Sequence, residues 1–338
     1  MFNEIYSIIK ALSDTDGISG FEDNVIEKAA SLLSFCDKVE KNRTSGLYAF
    51  IGDVNAPKQI MLDAHIDQIG MMVTDIDDNG FLHVTNVGGV DRRTLPGSIV
   101  TVYGTKKLKG IVSVLPPHIS GESDKVENTD KQYIDLGLKA EEVKEIVTVG
   151  DAVILENETV RLLNNRVTGS ALDDRAGCAA VIRAAELLKG IKLNCGVHIC
   201  LSSKEEIGGM GAEINAKRYL PNEAIAVDVS FAKQPGLGDK RGLGELSKGP
   251  MVGISPVLDK AMKDKLIKLC KENNIPYQPE VMGGSTGTDC DDIIVQNGGI
   301  HTALLSIPQR SMHTPAEICD LEDIENTAKL MALYVLAL

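Results

Sequence analysis

The 338-residue sequence contains no tryptophan, and its 13 other aromatic residues, six Phe and seven Tyr, leave little surface on which a sugar ring could stack. Long apolar runs are also missing. The hydrophobic stretches are short and broken by Gly, Asp or Lys, so none approaches the roughly 20 residues of a membrane span. The first residues, Met1-Phe2-Asn3-Glu4-Ile5, supply neither a basic n-region nor an apolar h-region. A soluble, cytoplasmic protein without a membrane partner is expected. Basic charge is scarce as well: 35 Lys and Arg stand against 48 Asp and Glu, a net charge of −13. No Lys/Arg cluster is large enough to track a phosphate backbone, which excludes a nucleic-acid partner. The seven cysteines are odd in number and form no C-x-x-C pair, which fits a reducing compartment and structural thiols.

What is present has two textures. Ile5, Ile8, Ile9 and Leu12 mark a helical face, Val25, Ala29 and Leu33 a second, and Gly17-Ile18-Ser19-Gly20 a loop between them. Gln59 to Ala64 reads as a buried strand. From about 70 to 163, short β-rich runs alternate with turns: Ser98 to Tyr103, then Leu108 to Leu115, a short helix over Ala140 to Ile146, and Asp151 to Leu155. After about 164, strands and helices alternate. Cys178, Val181, Ile182, Ala185 and Leu188 predict a helix over Asp174 to Lys189. Strands are expected at Gly196 to Ser202, Ala224 to Val227, Met251 to Ile254 and His301 to Ile307, with a helix around 258–273 and a last one from Leu321. The fold class is therefore α/β, a mixed sheet sandwiched by helices, with an inserted small β-rich domain. At this length about two domains are expected.

Five segments place a metal-type ligand just past an apolar run: Asp63-Ala64-His65-Ile66-Asp67, Leu172-Asp173-Asp174-Arg175, Lys204-Glu205-Glu206-Ile207-Gly208, Ala226-Val227-Asp228 and Ser311-Met312-His313. Ligand sites in open α/β sheets lie outside the carboxyl ends of the strands, so distant residues can converge there. Two His with three carboxylates suit a pair of zinc-like ions. Each piece has a bland reading: His65 as a satisfied core residue, Asp174-Arg175 as a helix start beside an ion pair, Glu205-Glu206 as solvated charge, Asp228 as a turn cap. Their joint appearance at strand ends is what weighs against coincidence. The glycines at 208–211 lack the spacing of a phosphate loop.

This ordered set resembles the co-catalytic metallopeptidase clan, and within it the TET-type (tetrahedral) aminopeptidases, which include glutamyl aminopeptidases and proteins once labelled endoglucanases. Gly17 to Glu22, Pro116-Pro117-His118, Glu205 to Ala212, Gly287-Thr288-Asp289 and Arg310 to Pro315 extend the likeness nearly end to end. The resemblance implies a metal-dependent aminopeptidase acting on short peptides through a two-metal-activated water. One divalent ion, Zn²⁺ or Co²⁺, would be held by His65 and Asp228, the other by Glu206 and His313, with Asp173 bridging. Asp67 would orient His65, and Glu205 would be the general base and acid. Asp289 and Arg310 are implied at the substrate, and a cis peptide at Asp173-Asp174. It further implies a catalytic domain over 1–69 and 164–338, a dimerisation domain over 70–163, and dimers that assemble into dodecamers.

Two positions depart from the family pattern, Gln68 where Glu is usual and Lys204 where Gln is frequent. The Gly283 to Cys290 segment is also expanded. These bear on substrate preference. A related di-metal deacylase or carboxypeptidase carries nearly the same ligand set and stays open as an alternative. Glycoside hydrolysis fits less well, since it needs two acids flanking one bond and a surface for sugar rings. A non-catalytic relative has no need of Glu205.

Overall fold

A computed structural model describes residues 2–120, 126–238 and 242–338. In chain order its strands are β1 (Lys38–Asn42), β2 (Gly46–Gly52), β3 (Gln59–His65), β4 (Gly70–Ile76), β5 (Leu82–Val87), β6 (Ile99–Tyr103), β7 (Lys107–Val112), β8 (Tyr133–Asp135), β9 (Ala152–Leu155), β10 (Val160–Arg161), β11 (Arg166–Gly169), β12 (Gly196–Ser202), β13 (Glu223–Phe231), β14 (Met251–Ile254), β15 (Gln278–Val281), β16 (His301–Gln309) and β17 (Glu317–Asp320). Eight of them form one sheet in the order β1-β2-β12-β3-β13-β16-β14-β15. The inner four, β12, β3, β13 and β16, are mutually parallel and end at the same edge. β2 and β14 flank them antiparallel.

These inner strands are buried on both faces, which is why they read as continuous apolar runs and not as alternation. On one face Ile60, Leu62, Ile199 and Ile225 pack against the helices Asn3–Ser13, Leu172–Leu188 and Leu321–Leu336. On the other, Met61, Cys200, Ala224 and Leu304 meet Ala212 and Ala216 of the helix Met210–Tyr219 and Ile293 of the helix Asp289–Ile294. β10, β11 and β17 make a small separate sheet. β4 to β9 close into a barrel, order β4-β5-β8-β7-β6-β9, around its own apolar core of Met71, Val73, Leu82, Val100, Val102 and Val153. Among the described residues no helix is long and apolar enough to cross a membrane.

The structure differs from the sequence expectations in places. The helix predicted from Asp174 begins at Leu172, with non-helical angles at Asp173 and Asp174 and a cis peptide between them. The strand expected to run to Leu115 stops at Val112, while β13 continues to Phe231. The helices Met210–Tyr219 and Asp289–Ile294 were not anticipated. The first buries small residues (Gly211, Ala212, Ala216) in place of a stripe of large ones, and the second has only six residues.

His198 on β12 has a structural role. One ring nitrogen lies 3.1 Å from the Tyr48 hydroxyl and the other 3.0 Å from Gln59 Oε1. The neutral ring can accept from Tyr48 and donate to Gln59, whereas a charged ring has no acceptor left for Tyr48. Burial lowers its pKa to about 4 from the ordinary 6.5. A folded pKa below the unfolded one means stability present above pH 6.5 and lost as pH falls toward 4. In metal-free protein, acidification across that window should remove on the order of 3 kcal/mol, at about 1.4 kcal/mol per pKa unit. Urea midpoints of wild type and His198→Leu test this: the variant should show a shallower acid slope, and parallel slopes would contradict the assignment.

Candidate metal centre

The shared edge of the parallel strands collects the candidate ligands. His65 ends β3, Asp228 lies near the end of β13, Glu205 and Glu206 follow β12, and His313 follows β16. Asp173 arrives separately, at the start of the helix that follows β11. Its carboxylate is shared between the two imidazoles. Oδ1 is 3.0 Å from His65 Nε2 and Oδ2 is 3.2 Å from His313 Nε2. Asp228 Oδ1 lies 3.9 Å from His65 Nε2, and Glu206 Oε2 lies 3.7 Å from His313 Nε2. Two triads result, His65–Asp173–Asp228 and Asp173–Glu206–His313, each with ligand atoms within 4.8 Å of one another.

Adjacent glutamates reach one site because the chain bends there. Lys204 takes a left-handed φ of 68°, and the Gly208 N–H closes a turn onto the Glu205 carbonyl. Asp67 holds that turn in place, its two carboxylate oxygens accepting from the Glu205 and Glu206 backbone N–H groups at 3.1 and 3.4 Å and from Ser19 Oγ at 2.5 Å. His65 Nδ1 is closer to the Asp67 carbonyl, at 3.2 Å, than to its carboxylate, at 3.6 Å. Asp67 thus orients the imidazole with its backbone and the glutamates with its side chain. Glu205 Oε2 lies 3.9 Å from His65 Nε2 and belongs to neither triad.

Sequence reasoning missed the residues that aim His313 and Asp173. Gly89 O lies 3.0 Å from His313 Nδ1, leaving Nε2 to face the carboxylates. Only glycine fits at 89, since a Cβ there would sit 2.6 Å from that nitrogen. The buried Glu317 carboxylate accepts from the backbone N–H groups of Asp173, at 3.1 Å, and His313, at 2.9 Å. Glu317 stands four residues after His313, the one signal that could have flagged it. Asp289 and Arg310 are elsewhere. Asp289 is buried beside Asp63 and does not line the cleft, and Arg310 Nε donates to the Lys233 carbonyl at 2.7 Å. The two departures from the family pattern also resolve. Lys204 Nζ donates to the carbonyls of Arg43 and Thr44 near the surface, and Gln68 accepts from the fully buried Arg175.

The electrostatics ask for cations. Burial pushes Glu206 up to about 8, helped by the nearby Asp173 charge, and lifts Asp228 well above the carboxylate range. Burial also raises Glu205. Asp173 is the exception, because its hydrogen bonds to His313 and His65 overcome burial and hold it low. Glu206 Oε1 is buried without a hydrogen-bond partner. Imidazole nitrogens and carboxylate oxygens in two triads, with an orphaned carboxylate oxygen on Glu206, fit borderline divalent ions. The cleft beside them measures about 340 Å³ and is lined by all of these carboxylates and His313. Larger hollows near Tyr277 and between Asp14 and Glu156 contain no such cluster.

Residues 46–330 match the M42 glutamyl aminopeptidase family, and the chain belongs to that family and is an aminopeptidase. The lysyl aminopeptidase of Pyrococcus furiosus is 34% identical, the alignment covering 96% of this chain and 95% of that one. Aminopeptidase APDkam598 from the archaeon Desulfurococcus kamchatkensis superposes with a TM-score of 0.93 at 30% identity, covering 100% of this chain and 96% of that one. The Pyrococcus horikoshii TET1 peptidase, which can assemble into a tetrahedron or a large octahedral shell, superposes at 0.87 with 29% identity, covering 99% of this chain and 100% of that one.

Proposed function

We propose that this aminopeptidase uses two divalent metal ions, zinc or cobalt, to remove N-terminal residues from short peptides. His65, Asp173 and Asp228 would hold one ion, and Asp173, Glu206 and His313 the other. The observation that carries the reading is the pair of triads sharing Asp173, with Glu205 beside them but in neither. Two such ions supply Lewis-acid polarisation of the scissile carbonyl and make water acidic enough to attack at neutral pH. Glu205 takes the proton from the attacking water and passes it to the departing amine nitrogen. Its raised pKa, a consequence of burial, suits a group that must both accept and return a proton. Asp67 keeps its backbone fixed while it does so. Asp289 and Arg310 are not assigned to the substrate, since neither lines the cleft.

The test is hydrolysis of aminoacyl chromogenic amides by metal-stripped protein, with Zn²⁺ or Co²⁺ restored, comparing free and N-acetylated amines. Cleavage should require metal and a free amine. Preference for the acetylated substrates would point to a deacylase.

The barrel region, 70–163, is proposed as a dimerisation domain, with 1–69 and 164–338 as the catalytic domain and dimers assembling into dodecamers. Support comes from Val114, Leu115 and Ile119, which are 63%, 67% and 68% exposed just after β7, and from the shells built by the TET1 peptidase. An apolar patch of this kind calls for a partner. Leu115→Glu with Ile119→Glu should shift the mass measured by light scattering toward the 36.3 kDa subunit. A wild-type protein already monomeric at working concentration would contradict the assembly. Work in the cytoplasm is supported by seven free cysteines, six of them buried.

A further inference from the structure

Arg175, two residues past Asp173, is 0% exposed. A guanidinium taken wholly out of water needs an acceptor for each of its five N–H groups. Five are present. Nε donates to the Ile66 carbonyl at 3.1 Å, and Nη1 to the carbonyls of Leu12, at 2.6 Å, and Thr15. Nη2 donates to the Gly17 carbonyl at 3.4 Å and to Gln68 Oε1 at 2.8 Å. All five acceptors are neutral, so Arg175 grips chain and makes no ion pair through them. None of the five is a candidate metal ligand, and Arg175 does not line the cleft.

The acceptors fall into two groups. Leu12, Thr15 and Gly17 belong to the chain leaving the first helix, while Ile66 and Gln68 stand on either side of Asp67. The two segments are also tied to each other. Gln68 N–H donates to the Gly17 carbonyl at 3.0 Å, Ser19 N–H to the Gln68 carbonyl at 3.1 Å, and Ser19 Oγ to the Asp67 carboxylate at 2.5 Å. Glycine at 17 is what lets them close on the fork, since a Cβ there would sit 2.6 Å from Nη2. One turn farther along the same helix, Cys178 Sγ lies 3.1 Å from the His65 carbonyl. The helix that begins with Asp173 thus holds residues 65–68 directly. Asp67 is gripped through both its neighbours, and its carboxylate in turn accepts from the Glu205 and Glu206 N–H groups.

We propose that Arg175 is a positioning residue for the general base: by locking Asp67 to the segment that carries Asp173, it sets where Glu205 stands relative to the shared carboxylate. This rests on the roles given above to Glu205 and Asp173. Gln68 belongs to the same device, as the one side-chain acceptor of the fork.

The experiment measures kcat, KM, bound metal and urea midpoint of metal-restored wild type, Arg175→Lys, Gln68→Met, Gln68→Glu and Glu205→Gln, on the aminoacyl amide that wild type cleaves best. Lysine keeps the charge and gives up the planar fork. Among folded, metal-loaded molecules Arg175→Lys should lose about 10- to 100-fold in kcat with KM little changed, the scale on which a misplacement of about 1 Å acts. Gln68→Met removes an acceptor and should also lower kcat, whereas Gln68→Glu supplies one and should keep about tenfold more kcat than Gln68→Met. A lower urea midpoint with unchanged kcat would make Arg175 a purely structural residue and overturn the proposal. So would a loss of kcat that tracks lost metal. Should Arg175→Lys not fold, the Gln68 pair decides, because equal kcat in the two variants contradicts the proposal. Glu205→Gln separates the two readings: if it keeps its turnover, the role of Glu205 falls and the proposal with it. If Glu205→Gln alone loses turnover, only the positioning role falls.

Discussion

Glu205→Gln is expected to lower kcat by about 10²- to 10⁴-fold, the usual contribution of a positioned general base, with little change in KM or in bound metal. Glutamine keeps the length and shape of the side chain, so the turn pinned by Asp67 through the Glu205 and Glu206 N–H groups should persist. What it loses is the ability to accept a proton. Because Glu205 stands outside both triads, metal content is the control that separates this from a ligand loss. Turnover near the wild-type level with both ions bound would sink the assigned mechanism. Glu206→Gln is the informative companion, since it should cost metal as well as activity.

Replacing Asp173 should have the widest consequence at the site, because its carboxylate is the only group in both triads. Asp173→Asn is expected to abolish activity and to weaken both ions together. A ligand that binds only the folded state at 1,000 times its Kd stabilises by about 4 kcal/mol. Wild type should gain on that order when zinc or cobalt is restored, and the variant should gain much less. A metal-free control follows from the imidazoles. The Asp173 hydrogen bond holds His313 up at about 9, and in His65 the same partner, with Asp67, overcomes the lowering effect of burial. A raised folded pKa means stability that is complete below pH 6.5 and is lost as pH rises through about 9. NMR titration of the metal-free variant should find His313 markedly lower. An unchanged His313 titration, or retention of one ion at wild-type affinity, would contradict the shared-carboxylate arrangement.

Much of the site was legible because its residues are tied to chain order. His65, Glu205 and Glu206 sit at or just beyond the ends of apolar strands, Asp228 lies three residues inside the end of another, and those strands announce themselves by composition. The supporting residues were not legible. Gly89 reaches His313 through its carbonyl, and although only glycine leaves room for the ring there, a glycine in the sequence does not say which side chain approaches it. Glu317 looks like one more surface glutamate until β17 buries it against the Asp173 and His313 backbones. Asp289 is a different case. Its motif suggested the substrate, but the helix it starts turns the carboxyl inward toward Asp63.

The sequence by itself determined an α/β chain with a β-rich insert, the absence of a basic surface and of long apolar runs, and a ligand set suited to two ions. These follow from side-chain type and from periodicity, which are local properties of the chain. The tertiary structure alone decided that Asp173, from outside the main sheet, lies between two histidines 248 residues apart (65 and 313), and that Glu280 faces the same cleft. Those facts depend on strand order and on where the helix after β11 begins. Such pairings are set by packing among segments far apart in sequence, where no local pattern reaches.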